Sequence, residues 1–271
     1  MSEENSRGTV PSKKEIIKKL RTASELYALM SPCTKMPYVQ CDPETMDDEI
    51  FLYPEEETAK DAAMRLSGKR IPVQAVRVDQ KQLLGFCANL WMMGVNCVLF
   101  GEGTPEETRI QLEELVMRPG TGKLPEGQIW VENPELHLTA LYFMQEARRE
   151  RLPQMTDEMK QLQEEILVDF GKGTYLTVYH TDNGIPLIRQ QSGDTYQPIF
   201  TDMMEMRKFN RDGGFKVVVV EAAKIPGILA REAKGVAVNP AGVNLLLPLE
   251  RKRAPEESRP SEGGSVGPVN V

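Results

Sequence analysis

Ile71-Pro-Val-Gln-Ala-Val-Arg-Val78 and Phe215-Lys-Val-Val-Val-Val220 are two runs that hold the same place in two successive patterns. Both are rich in β-branched residues and too short to make an independent helix, so both read as strands. Pro72 cannot donate to a ladder, which puts the first run at a sheet edge or at a strand start. Val217 to Val220 make the most β-branched stretch of the chain. They are expected in the core, each valine contributing roughly 1.5–3 kcal/mol if fully buried.

Outward from these runs the same order appears twice. A strand and a helix precede each run, and a second helix, a glycine-led strand, a turn and a returning strand follow it. The order strand-helix-strand-helix-strand-strand spans Glu49 to Leu112 and again Gln197 to Leu247. Gly94-Val-Asn-Cys-Val98 set against Gly235-Val-Ala-Val-Asn239 is the second anchor of the repeat. The fold class that follows is α/β, of the mixed α+β kind, with two similar small domains. Each is a mixed sheet packed with helices, its strand–helix–strand units crossing over right-handed.

Helical patterns stand before each copy. Ser12 with Glu15 can form a capping box, and Ile16, Ile17, Leu20, Ala23, Leu26 and Tyr27 continue at helical spacing until Ser31-Pro32. Asn133-Pro134 opens a helix to about Arg149, and Thr156 opens another that closes at Gly171-Lys-Gly173. Pro54 to Leu66, Asp79 to Gly94, Asp202 to Phe209 and Ala222 to Ala233 complete the expected helices. The domain reading is an unstructured 1–11, a first domain over 12–118, a linker loop over 119–132, a second domain over 133–253, and a disordered tail over 254–271. The tail is Pro, Glu, Ser and Gly, a composition that buries too little apolar area to offset its ordering entropy.

The stretch Gln197-Pro-Ile-Phe-Thr-Asp202, then Phe209, Val217 to Val220 and Ala233-Lys-Gly-Val-Ala-Val-Asn-Pro-Ala-Gly242, resembles the SseB family's N-terminal-type domain. The helix start Asn133-Pro134-Glu135-Leu136 is similar to that family's opening, and the resemblance covers roughly 133–248. The first half reads as a degenerate copy, because Gly94 to Gly101 keep the glycine and the strand but lack Asn-Pro. The resemblance implies a small cytoplasmic bacterial α/β domain with no agreed catalytic residues to carry over.

Composition narrows the function. In 271 residues the formal net charge is −7, and the basic residues are scattered, so the phosphate-neutralising cluster that nucleic acid requires is missing. No apolar run reaches the roughly 18–20 residues that span a bilayer, and Met1-Ser-Glu-Glu-Asn-Ser-Arg7 has no apolar signal-peptide core. Cys33, Cys41, Cys87 and Cys97 lack C-x-x-C spacing and read as reduced thiols. The expected location is the cytoplasm.

Catalytic signatures fail one by one. Only His137 and His180 are present, and His180-Thr-Asp182 stands near no nucleophile motif. Gly120-Thr-Gly-Lys123 lacks the spacing of a phosphate loop. The acidic residues Asp42, Glu44, Asp47, Asp48, Glu49 and Glu55 to Glu57 lack the order of a calcium loop and read first as a solvated surface, with weak divalent-cation binding as the second reading. Met92, Met93, Met203, Met204 and Met206 read as core filling, although Met203 and Met204 cannot both point inward. Thr201, Asp202, Met203, Met204, Asn239 and Pro240 remain as a weak candidate binding surface. For Thr201-Asp202 and Asn239-Pro240, capping and turn chemistry comes first and a ligand contact second. No enzyme, cofactor or metal is expected.

The leading expectation is therefore a non-catalytic accessory or protein–protein interaction module of the SseB-like type, with a homo-oligomer left open. The alternative is a small-molecule-sensing domain with its ligand between the two halves. Neither reading involves nucleic acid or a membrane.

Overall fold

The structure, a computed structural model, describes residues 11–118, 129–149, 155–182 and 184–252. Residues 119–128 of the expected linker loop, the phosphate-loop look-alike, most of the N-terminal stretch and the tail lie outside these residues.

The first half runs α1 (Lys13–Thr22), β1 (Glu25–Ser31), β2 (Met36–Pro37), β3 (Val39–Cys41), β4 (Asp48–Tyr53), α2 (Glu56–Gly68), β5 (Gln74–Asp79), α3 (Gln80–Met92), β6 (Cys97–Phe100), β7 (Thr108–Gln111) and α4 (Leu112–Leu115). Then come α5 (Pro134–Arg149), α6 (Asp157–Lys172), β8 (Thr174–Tyr179), β9 (Ile188–Arg189), β10 (Thr195–Phe200), α7 (Met203–Phe209), β11 (Lys216–Glu221), α8 (Ile225–Ile228), β12 (Ala233–Val238) and β13 (Leu245–Pro248).

Two sheets result, and their strand orders are the same. The first is β5-β1-β4-β6-β7 and the second β11-β8-β10-β12-β13. In each, only the pair β4·β6 or β10·β12 is parallel. Short strands β3 and β9 pair with the starts of β4 and β10. Backbone bonds outside the ladders repeat too. Gln80 N–H reaches Ser24 O at 2.9 Å and Ala222 N–H reaches Gly173 O at 3.0 Å, while Gly101 N–H to Leu52 O (2.8 Å) answers Asn239 N–H to Ile199 O (2.9 Å). The duplication is thus written in the pairing, residue by residue.

That register corrects the repeat's second anchor by three residues. Val98 and Val236 occupy equivalent positions, as do Gly101 and Asn239. Gly94 (φ +80°) follows the end of α3, whereas Gly235 lies inside β12, so these two glycines are not equivalent.

Three element readings are also corrected. The first helix stops at Thr22, and Leu26 to Met30 belong to β1, a central strand buried on both faces. A continuous apolar run of that kind carries no period to separate strand from helix. Ala222 to Ala233 is no single helix but a 3₁₀ turn and the one-turn α8, with Pro226-Gly227 inside it, and β12 begins already at Ala233. The third is the expected valine core. Val217, Val218 and Val219 are 38%, 42% and 40% exposed and only Val220 is buried, because β11 is an edge strand paired with β8 alone. Val218→Thr is accordingly expected to shift stability by under about 0.5 kcal/mol. Val238→Ala, at a fully buried site on β12, should cost about 2 kcal/mol or more, both read from urea midpoints.

One apolar cluster joins the halves, running from Ile16 and Leu20 through Leu136 and Leu141 to Val236 and Leu247. Helix α5 is the bridge. Its Gln145 side chain bonds both the N–H and the C=O of Val39 at 3.0 Å, and Tyr142 donates to Asp48 at 2.5 Å. At its other end Asn133 donates to the carbonyls of Thr174 and Thr201, each at 2.8 Å. No helix among the described residues is long and apolar enough to cross a membrane.

Candidate functional site

The chain leaves β10 at Phe200, and the next residue is tied through every polar group it has. Thr201 N–H donates to Asn239 Oδ1 (2.9 Å), its carbonyl accepts from Asn133, and its hydroxyl accepts from Asn239 Nδ2 (2.8 Å) while donating to Asp202 Oδ2 (2.7 Å). Asp202 caps α7: Oδ1 accepts from the amides of Met204 (2.8 Å) and Glu205 (3.0 Å). His137 of α5 completes the cluster, its Nδ1 lying 3.4 Å from the Thr201 hydroxyl and 3.7 Å from Asp202 Oδ2. Burial pushes the Asp202 carboxyl up, but the bonds from His137, Thr201 and the α7 amides outweigh it and hold the group below the ordinary carboxylate range.

This network is sealed. His137, Thr201 and Asn239 are fully buried and Asp202 nearly so. Thr201, Asp202 and Asn239 therefore form no binding surface, and the expectation that grouped them as one is corrected. They join the C-terminal end of β10 to the β12 turn and the start of α7, which is capping and turn chemistry carried into the core. Met203 and Met204 do reach solvent, on the first turn of α7, and Pro240, which follows the buried Asn239, is half-buried. Met92, Met93 and Met206 fill the core.

Two members of the cluster escaped the sequence reading. His137 was passed over because its partners stand more than sixty positions away, and Glu205 because a helical glutamate is ordinarily a surface residue. Glu205 is fully buried, pairs with Lys208, and leaves Oε2 without a partner; a Cβ on Gly242 would sit 2.6 Å from that oxygen. The other histidine does nothing comparable. His180 accepts from the Asp182 amide at 3.2 Å and stands edge-on to Phe215, so Asp182 does not orient it as a base.

The first half shows how the same corner is built without the network. Pro54 stands where Thr201 does, and Gly101 where Asn239 does. Proline has no N–H to donate and glycine no side chain to accept it, so donor and acceptor are missing together and neither is left unsatisfied.

The acidic residues near β4 are also more organised than a solvated surface. Asp42 and Glu49 are buried, and Arg109 spans them, with Nη2 2.5 Å from Asp42 Oδ2 and Nε 3.2 Å from Glu49 Oε2. No cluster of His, Cys, Asp and Glu among the described residues has the geometry of a metal site. Burial pushes Cys87 up to about 11 and Cys97 to about 12, which keeps both thiols protonated and unreactive.

With the second sheet, its Thr-Asp cap and its Asn-Pro turn in view, the comparison with protein families falls on that half. Residues 144–251 match the SseB protein N-terminal domain. The SseB match begins within α5 and ends beyond β13, so it takes in the whole second sheet. Among solved structures the chain is similar to Anabaena Tic22 (protein transport), with 11% identity over 79% of this chain and 84% of that one and a TM-score of 0.22. It is also similar to Tic22 from Plasmodium falciparum, with 10% identity over 82% of this chain and 90% of that one and a TM-score of 0.21. A comparison with curated proteins gives no match.

Proposed function

We propose that the protein is a non-catalytic interaction module of the SseB-like type, acting in the cytoplasm, that takes an extended segment of a partner polypeptide along the open edge of β11. The observation that carries this reading is the exposure of Val217, Val218 and Val219 on a strand paired along one side only. An open edge offers unpaired N–H and C=O groups, and proteins normally blunt it with charge or cover it. The equivalent strand β5 follows that rule, with Gln74, Arg77 and Asp79 along it and the thirteen-residue α2 packed over it. In the second half the covering helix α7 has seven residues and packs on β8 and β10 instead. The burial of His137 and Asp202, the only His–Asp pair within ion-pair distance among the described residues, supports the non-catalytic part.

A photo-cross-linking amino acid at Val218, carried by the full chain in its own cells, tests the proposal. The expected product is one discrete adduct with a different polypeptide, lost when Val217 and Val219 are both changed to Lys. A product of twice the chain's mass, or no product, would overturn it.

A second reading, a small-molecule sensor, is supported by a cavity of about 220 Å³ between the halves. Trp91 and Asn96 line it from one side and Glu135 and Leu138 of α5 from the other, and the Trp91 indole N–H is buried without a partner. Quenching of tryptophan fluorescence by a co-purified extract of small metabolites, absent in Trp91→Phe, would favour it.

A further inference from the structure

Three helices of the first half leave an apolar groove between them. It is a cavity of about 220 Å³, lined by the buried Leu20 of α1, by Leu83, Leu84 and Cys87 of α3, and by Leu115 and Val116 at the end of α4. Leu83, Leu84 and Cys87 follow one another at helical spacing, so one stripe of α3 faces the gap. The fold uses that stripe only in part, since Leu84 is 68% exposed.

The rim of the groove is basic. Arg21 lines it, and Lys14 and Lys18 precede Arg21 by seven and three residues, on the same face of α1. Lys81 stands three residues before Leu84 on α3. All four are exposed and none enters an ion pair among the described residues; the Arg21 guanidinium donates to the Glu114 carbonyl. The carboxylates of the same elements are mostly engaged: Glu15 in the α1 cap, Glu114 with Lys13, and Asp79 with Arg77. Glu113 alone is left against the four cations, in a chain whose formal net charge is −7.

Nothing in the shared architecture demands the gap. In the second half Lys252, four residues past β13, donates its N–H to the Pro226 carbonyl of α8 at 3.0 Å. Leu115, four residues past β7, instead shares the groove with Leu84. Phe170 stands two residues before the end of α6, where α1 has the smaller Leu20. The corresponding elements are drawn together in one half and held apart in the other.

We propose that this groove takes an amphipathic helix of a partner protein, its apolar stripe seated on Leu84, Leu115 and Val116 and its polar face acidic. A helix is the occupant because the walls are themselves helices. They offer side-chain ridges, and no free backbone edge to which a strand could add. The acidic character follows from the four unmatched cations, because opposite charge steers the encounter and like charge disfavours a basic partner.

Fluorescence anisotropy with the full chain tests this, using two synthetic peptides of about 18 residues, long enough to sustain a helix. Both carry leucine at helical spacing along one stripe. The remaining positions are alanine and glutamate in one peptide, alanine and lysine in the other. The glutamate peptide is expected to bind at least about tenfold more tightly than the lysine peptide, and to weaken as salt is raised. Leu84→Glu should weaken it by about tenfold or more, and Lys14→Glu combined with Lys18→Glu by a similar factor. All three sites are exposed, so the melting temperatures should stay level. The proposal is overturned if the glutamate peptide does not bind at submillimolar concentration, if the lysine peptide binds as well, or if the variants bind unchanged. Binding to phosphatidylserine vesicles without binding of the glutamate peptide would make the patch a membrane contact and overturn it too. A chain that cross-links through Val218 yet binds neither peptide would lose this proposal and keep the reading of β11.

Discussion

Asp202→Ala is expected to destabilise the protein by about 3–5 kcal/mol, read from the shift in its denaturant midpoint. Two losses add. The first is the α7 cap, worth about 0.5–2 kcal/mol, since the amides of Met204 and Glu205 lose their acceptor in a partly dry site. The second is larger. Removing the carboxylate leaves the Thr201 hydroxyl without its acceptor and takes away the oxygen 3.7 Å from His137 Nδ1, both residues being fully buried, where water cannot replace what is lost. Ser or Thr at 202 would restore a cap but not the second oxygen, and should recover a minority of the loss.

The same carboxylate gives a pH dependence with a definite sign. Its pKa is lower in the folded protein than the roughly 3.9 of an unfolded chain. Its contribution is therefore complete above about pH 4 and is lost as the pH falls from there through the folded value. Asp202→Asn keeps a cap acceptor and removes the titration. The stability gap between wild type and Asp202→Asn should accordingly be constant near neutrality and close on acidification below about pH 4. A gap that stays constant down to pH 2 would mean the carboxylate is not held ionised by its neighbours.

What the sequence made legible, and what it did not, follows from the range of the forces involved. Caps and turns are local, so Ser12–Glu15, Asp79–Gln82 and Thr156–Met159 could be found from neighbours three residues apart, and each is present. The duplication was legible from element order because order survives when residues change. Its residue alignment was not. Gly94 and Gly235 look alike in sequence, but one follows a helix end with a positive φ and the other lets two backbones touch. Val217 to Val220 misled for a related reason: β-branched content marks a strand, while burial depends on what the rest of the chain lays over it, and α7 is too short to cover β11. The His137–Asp202 contact and the Glu49–Arg109 pair join residues sixty or more positions apart, a distance at which no local pattern signals contact.

Gly235 carries the other large effect, and it separates the two glycines in a single experiment. A Cβ built there would lie 2.0 Å from the carbonyl oxygen of Leu247 and 2.8 Å from both Leu249 N and Pro248 Cα. These are backbone atoms of β13 and of the residue that follows it, β13 being paired to β12 with Gly235 opposite Pro248, so no rotamer change can relieve the overlap. The two strands would have to part, and β12 is the parallel partner of β10, whose end holds Thr201. Gly235→Ala should therefore cost at least about 4 kcal/mol, in the range where a marginal domain ceases to accumulate folded. The equivalent position in the first half is Cys97, a residue with a Cβ, which shows that the close approach belongs to the β12–β13 pair and not to the architecture. Cys97→Gly should thus cost only the roughly 1 kcal/mol or more of a lost buried side chain and a looser strand. If Gly235→Ala folds with a wild-type midpoint, the strand pairing described for β12 and β13 is wrong, and the residue-by-residue equivalence of the two halves is wrong with it.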